Sequence, residues 1–224
     1  PPVVHALTLS IAAGERFGIL GRSGAGKSTV ARCIARLLAP SRGEVTLGGV
    51  PLRAFSEADL RRKVACVPQE PTVFSGSLRM NLDPTSEHAD ASVLRACDEV
   101  GARSSLLTAS GGLGLETQLS ADGLAMSAGE RQQLCLARAL LVGAGLVVLD
   151  EATSSLGDAS MRPVEAALVA CARRSTVLQI AHQTSAVMGC GRVAVMVNGR
   201  VAECGVPSRL LEGGLEGGQG GAGL

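Results

Sequence analysis

An α/β fold with a mainly parallel sheet is predicted by three features of this 224-residue sequence. A short apolar segment, Phe17-Gly18-Ile19-Leu20, runs directly into the small-residue loop Gly21-Arg22-Ser23-Gly24-Ala25-Gly26-Lys27-Ser28-Thr29. A helical pattern follows, with Val30, Ile34, Leu37 and Leu38 on one face of residues 27–38. Further apolar strands are expected at 64–67, 146–149 and 176–180, separated by helical stretches.

Taken in order, residues 3–11 alternate as a strand, Gly14-Glu15 turns the chain, and 16–20 returns, which predicts an antiparallel pair feeding the loop. Residues 43–47 and 50–52 read as a hairpin around Gly48-Gly49. From 81 to 122 the pattern is helical and polar: 92–100 is amphipathic through Val93, Leu94, Ala96, Cys97 and Val100, and a break is expected at 110–114. Helices are expected at 128–142 and 162–173, and a last hairpin, 193–197 with 200–203, around Asn198-Gly199. Residues 213–224 hold seven glycines and are expected to be a disordered tail.

Composition narrows the function classes. A net charge of +1 with 18% charged residues gives no field that would draw nucleic acid or an anionic membrane. No apolar run approaches the roughly 18 residues of a membrane span, so direct membrane insertion is not expected. The start at Pro1-Pro2, with no initiating methionine or signal sequence, reads as a piece cut from a longer polypeptide. The seven cysteines are scattered without a C-x-x-C pair, which argues against a zinc site or disulfide framework and for small core residues.

The loop at 21–29 matches G-x-x-x-x-G-K-[ST], the nucleotide-binding P-loop. Small residues let backbone N–H groups turn around the β- and γ-phosphates, and the helix N-terminus adds partial positive charge. Lys27 reaches the β/γ oxygens in such a loop, and Ser28 offers its hydroxyl to Mg²⁺. The apolar segment 146–149 ends in Asp150-Glu151. Beside a P-loop strand, Asp150 can bind Mg²⁺ through water and Glu151 can orient and polarise the attacking water. By themselves, two such acids could simply cap a turn. Ser127-Ala128-Gly129 opens a helix whose first-turn N–H donors make a second anion site, although alone it is an ordinary capped N-terminus.

The order P-loop, Pro68-Gln69, Ser127-Ala128-Gly129-Glu130, Asp150-Glu151, Ile180-Ala181-His182 resembles the nucleotide-binding domain of ATP-binding cassette (ABC) proteins across residues 3–212. The stretch 67–84 (Val67-Pro68-Gln69 through Asn81-Leu82-Asp83-Pro84), with Leu134-Cys135-Leu136-Ala137-Arg138-Ala139-Leu140-Leu141 and Val201-Ala202-Glu203-Cys204-Gly205, resembles the second cassette of the C-subfamily, multidrug-resistance-associated exporters. This resemblance implies a P-loop NTPase (ABC ATPase) core with an antiparallel β subdomain and an inserted helical subdomain at about 84–130. It implies ATP and Mg²⁺ as cofactors and ATP hydrolysis by Glu151, His182 and Lys27. Gln69 becomes a Mg²⁺ contact that reports the γ-phosphate to the helical subdomain. Met126-Ser127-Ala128-Gly129-Glu130 becomes a signature pressed on the γ-phosphate of a partner cassette, and His182 a switch histidine.

The implied partners are a second nucleotide-binding domain, in a head-to-tail sandwich, and transmembrane domains, with the cassette on the cytosolic face of a membrane. Adenine in the family stacks on an aromatic ring, and with no Tyr or Trp present that ring is expected upstream of Pro1. The sequence departs from the family's common form at Met126, Ala128, Glu130, Gly157, Gln183-Thr184, Gly189 and Gly191. Two other readings stay open: a soluble ABC ATPase without a transport role, and a regulatory cassette of low turnover. On the P-loop reading, Lys27→Ala weakens Mg-ATP binding by about 2–3 kcal/mol, roughly 30- to 150-fold. Calorimetric affinity within about threefold of wild type would overturn it.

Overall fold

The computed structural model describes residues 3–108, 114–120, 126–154 and 156–216. Its centre is a six-stranded sheet in the order β10-β9-β1-β8-β7-β4, built from β1 (Arg16–Gly21), β4 (Val64–Val67), β7 (Leu146–Asp150), β8 (Thr176–Ala181), β9 (Arg192–Val197) and β10 (Arg200–Gly205). Every pairing is parallel except the edge hairpin β9–β10, which turns at Asn198-Gly199 with φ of 48° and 75°. Parallel strands need both faces covered, so their sequences are continuously apolar. In β7 the alternation divides the burial: Val147 and Leu149 enter one core, Leu146 and Val148 the other.

The first core lies under helices α3 (Leu78–Leu82), α4 (Asp90–Glu99), α5 (Arg103–Thr108), α6 (Ala128–Val142) and α7 (Asp158–Ala172). The second lies under α1 (Lys27–Ile34), α2 (Glu57–Lys63) and the hairpin β2 (Thr46–Leu47)–β3 (Val50–Pro51). That hairpin turns at Gly48-Gly49 with φ of 58° and 80°, the left-handed pair that matches strand twist. A small ladder, β5 (Gly76–Ser77) with β6 (Gln118–Leu119), ties the helical region to the loop after β4. No helix among the described residues is long and apolar enough to cross a membrane.

Several sequence expectations are corrected. Residues 3–11 form no strand: Leu7, Leu9 and Ile11 pack half-buried on the second core, while His5 N–H donates to Gly199 O at 2.8 Å and Ser10 O accepts from Arg192 Nη2 at 2.9 Å, so the alternating pattern packs side chains without forming a ladder. Helix α1 stops at Ile34, not Leu38, because Arg36 adopts φ 57° and ends the right-handed turn. Helix α2, which the periodicity did not suggest, is capped by Ser56, whose hydroxyl accepts from Asp59 N–H. Helix α7 starts at Asp158, a full turn earlier than expected. The final helix, α8 (Pro207–Glu216), extends four residues into the expected tail; residues 217–224 lie outside the described residues, as does most of the break expected at 110–114.

Four of the seven cysteines, Cys97, Cys135, Cys171 and Cys190, are buried, while Cys66 and Cys204 are exposed. Leu178 is wholly buried on the central strand β8. Leu178→Ala removes that packing and is expected to cost about 2–5 kcal/mol, read as a lower urea midpoint with an unchanged m-value.

Candidate nucleotide site

The loop leaving β1 turns through Gly24 (φ 79°) and Gly26 (φ 97°), a left-handed path open to glycine, and delivers Lys27 as the first residue of α1. At Gly26 an added Cβ would also stand 2.9 Å from Val4 Cγ2. Arg22 and Ser23 are exposed at the loop crest; Ala25, Gly26 and Lys27 are buried, and Ser28 and Thr29 are half-buried on the first turn of α1. Lys27 is only 5% exposed. Its Nζ donates to Gly21 O at 2.8 Å and Arg22 O at 3.1 Å, so the ammonium is held inside the loop.

The carboxylates arrive at the C-terminal end of β7, two strands away. Ser28 Oγ donates to Asp150 Oδ1 at 3.2 Å, joining α1 to β7. Burial raises the Asp150 carboxyl above its ordinary value, an effect that the Ser28 hydrogen bond opposes, the Glu151 charge adds to and Lys27 opposes. Glu151 stands at φ 52°, a left-handed conformation that an acidic side chain occupies at a cost of order 1–3 kcal/mol. Its N–H donates to Ile180 O at 2.9 Å, which pins that conformation to β8.

Three groups from separate segments converge on the Glu151 carboxylate. Lys27 Nζ lies 3.7 Å from Oε1, Gln69 Nε2 donates to Oε2 at 3.2 Å, and His182 Nδ1 lies 3.1 Å from Oε2. Gln69 follows the end of β4 and His182 the end of β8, so neighbouring parallel strands set all these positions. Lys27, Ser28, Gln69, Asp150, Glu151 and His182 therefore form one cluster.

Ser127 and Gly129 take their place elsewhere, at the start of α6. Ser127 caps that helix by accepting from Glu130 N–H at 3.2 Å, and Glu130 Oε2 accepts from Ser127 N–H at 2.7 Å. The unusual glutamate thus completes a capping box and has its charge turned onto its own helix N-terminus. The sequence reading did not assign a role to Arg138. It reaches from α6 to Thr72 O at 2.7 Å, to Asn81 O and to Asn81 Oδ1 at 2.8 Å, and lies 5.3 Å from the Phe74 ring centre. Asn81 in turn donates to Phe74 O and Ser77 O. These bonds fix the segment between Gln69 and α3. The available signal was a lone charge inside the apolar run Leu134–Leu141.

A phosphate-cradling loop with a buried lysine, a hydroxyl–carboxylate pair and an adjacent strained glutamate defines a P-loop nucleotide-binding domain. The ABC transporter family profile matches residues 4–154, about two-thirds of the chain. Human ATP-binding cassette sub-family C member 2 is 37% identical over 210 residues, 94% of this chain and 14% of that protein. Metal resistance protein YCF1 of Saccharomyces cerevisiae is 35% identical over 209 residues, 93% of this chain and 14% of that protein. A bacterial Atm1-family ABC exporter solved with ATP bound superposes with a TM-score of 0.88 at 28% identity, covering 99% of this chain and 40% of the exporter chain. This chain belongs to the ABC transporter family, whose cassettes are ATPases, and it spans about one-seventh of the length of these curated relatives.

Because the capping box is local, Ser127→Ala should lower unfolding stability by about 1 kcal/mol, whereas Glu130→Gln, which keeps the reciprocal bond, should cost less than half of that. Chemical denaturation of both variants checks the difference.

Proposed function

We propose that this chain is the ATP-hydrolysing cassette of a membrane exporter of the sub-family C type, corresponding to the second of two cassettes. The observation that carries the hydrolytic part of this reading is the convergence of Lys27, Gln69 and His182 on the Glu151 carboxylate; the sub-family C part is supported by the likeness to its members. In the proposed reaction Lys27 and the loop 21–29 hold the β- and γ-phosphates. Glu151 orients and polarises the attacking water, and His182 hydrogen-bonds the γ-phosphate. The left-handed backbone of Glu151 aims the carboxylate toward Lys27 rather than along the strand.

Ser28 and Asp150 fit Mg²⁺: both present hard oxygen donors, already within hydrogen-bond reach of each other, and burial of Asp150 favours pairing its charge with a cation. Gln69 is the third candidate donor through its amide oxygen. When bound, Mg²⁺ would offset phosphate charge.

Helix α6 carries Ser127 and Gly129 on the helical side of the fold, packed on α3 and α4 rather than on α1. That placement favours their use on the nucleotide of a second cassette, in a head-to-tail pair closed by ATP. The relatives also suggest transmembrane domains as partners, with this cassette on the cytosolic face.

Glu151→Gln keeps size and hydrogen bonding but removes the base, so turnover at this site should fall about 10²–10⁴-fold while nucleotide binding persists. Steady-state hydrolysis and nucleotide trapping in the whole protein check this. Unchanged turnover at this site would remove Glu151 from its role and favour a regulatory cassette.

A further inference from the structure

Behind His182 lies a buried polar network that belongs neither to the phosphate loop nor to the carboxylate pair. Gln179, on β8, is 2% exposed, and Arg16, on β1, is 6% exposed. Gln179 Nε2 donates to Ala186 O at 2.7 Å, and its Oε1 accepts from Arg16 Nη2 at 2.8 Å. Arg16 is gripped from the other side by Glu165 of α7, Nη1 to Oε1 at 2.5 Å and Nη2 to Oε2 at 2.8 Å.

The geometry has a direct bearing on His182. Gln179 lies three residues before it, and Ala186 lies in the single 3-10 turn Thr184–Val187 just after it. The Gln179 side chain therefore joins the two stalks of the short loop on which His182 sits, closing it across its base. Gly191 N–H donates to Arg16 O at 2.8 Å, which ties the far end of the same loop to β1.

At Gly189 a Cβ would lie 2.5 Å from Glu165 Oε1 and 2.8 Å from Arg16 Nη1. In this chain the carboxylate facing Arg16 comes from α7, and glycine leaves room for it. Helix α7 is also the element that follows Glu151 and Gly157, so the network connects the segment beyond the hydrolytic glutamate to the loop of His182.

We propose that Gln179, oriented by the Arg16–Glu165 ion pair, is a positioning residue for His182, holding the imidazole at the distance from Glu151 that turnover requires. The inference rests on the role proposed for His182. It assigns no contact with nucleotide to Gln179, Arg16 or Glu165.

The test is hydrolysis by the whole protein carrying Gln179→Glu, which keeps an acceptor for Arg16 but removes the amide donor to Ala186 O. The expected result is a fall in kcat of about five- to tenfold with KM for ATP within about twofold, because positioning acts on the reacting geometry rather than on ground-state binding. Combined with His182→Ala, the Gln179→Glu change should add less than about twofold, since both act through one group. Glu165→Ala, at the half-exposed end of the network, should lower kcat in the same direction by about two- to threefold and supplies the same readout if Gln179→Glu does not fold. Full additivity with His182→Ala, or an unimpaired kcat in Gln179→Glu or in a folded Glu165→Ala, overturns the clamp. A His182→Ala protein with normal turnover would instead overturn the role of His182 itself, and the inference with it.

Discussion

The placement of one carboxylate constrains most of this molecule. Glu151 has to leave β7, enter a left-handed backbone conformation and meet polar groups from three other segments. Such convergence is available only where parallel strands end side by side, because each strand then delivers its following residue to the same edge. The order β1-β8-β7-β4 does this: its strands lead into the phosphate loop, His182, Glu151 and Gln69. Burial of the central strands β1, β8 and β7 on both faces makes those positions rigid, and that rigidity offsets the unfavourable conformation of Glu151.

Charge inside the site is balanced at short range. Lys27 is buried among carbonyl oxygens and near Glu151, and Asp150 is partnered by Ser28. A buried ammonium or carboxylate without such partners would be costly in a low-dielectric interior. The same logic operates at the periphery: Arg138 and Asn81 satisfy the carbonyls of the segment after Gln69, and Glu130 satisfies its own helix terminus. Polar side chains here do the work that a regular ladder does elsewhere, because these segments are too irregular to pair as strands.

The sheet, helix α6 and both glycine hairpins were legible in the sequence because each has a local cause: continuous apolar runs, a Ser–Glu capping box, and paired residues at positive φ. Where local pattern and tertiary partnership diverge, the sequence misleads. Residues 3–11 alternate like a strand, yet pair with no strand of the sheet. The apolar Leu37 and Leu38 continue a helical face past Arg36, whose backbone has already turned away. Helix α2 has a weak apolar face and is set by its Ser56 cap and by Leu60, which is buried against the second core.

By itself the sequence determined the chemistry of the phosphate loop, the acidic pair at the end of an apolar strand and the family resemblance, because these depend on residue type at fixed local spacing. Only the tertiary structure decided which groups face Glu151, and that Arg16 bridges Glu165 and Gln179 behind His182. Residues 16, 165 and 179 are far apart along the chain, and no periodicity couples them. Their meeting is a product of strand order and helix packing, which a one-dimensional pattern does not contain.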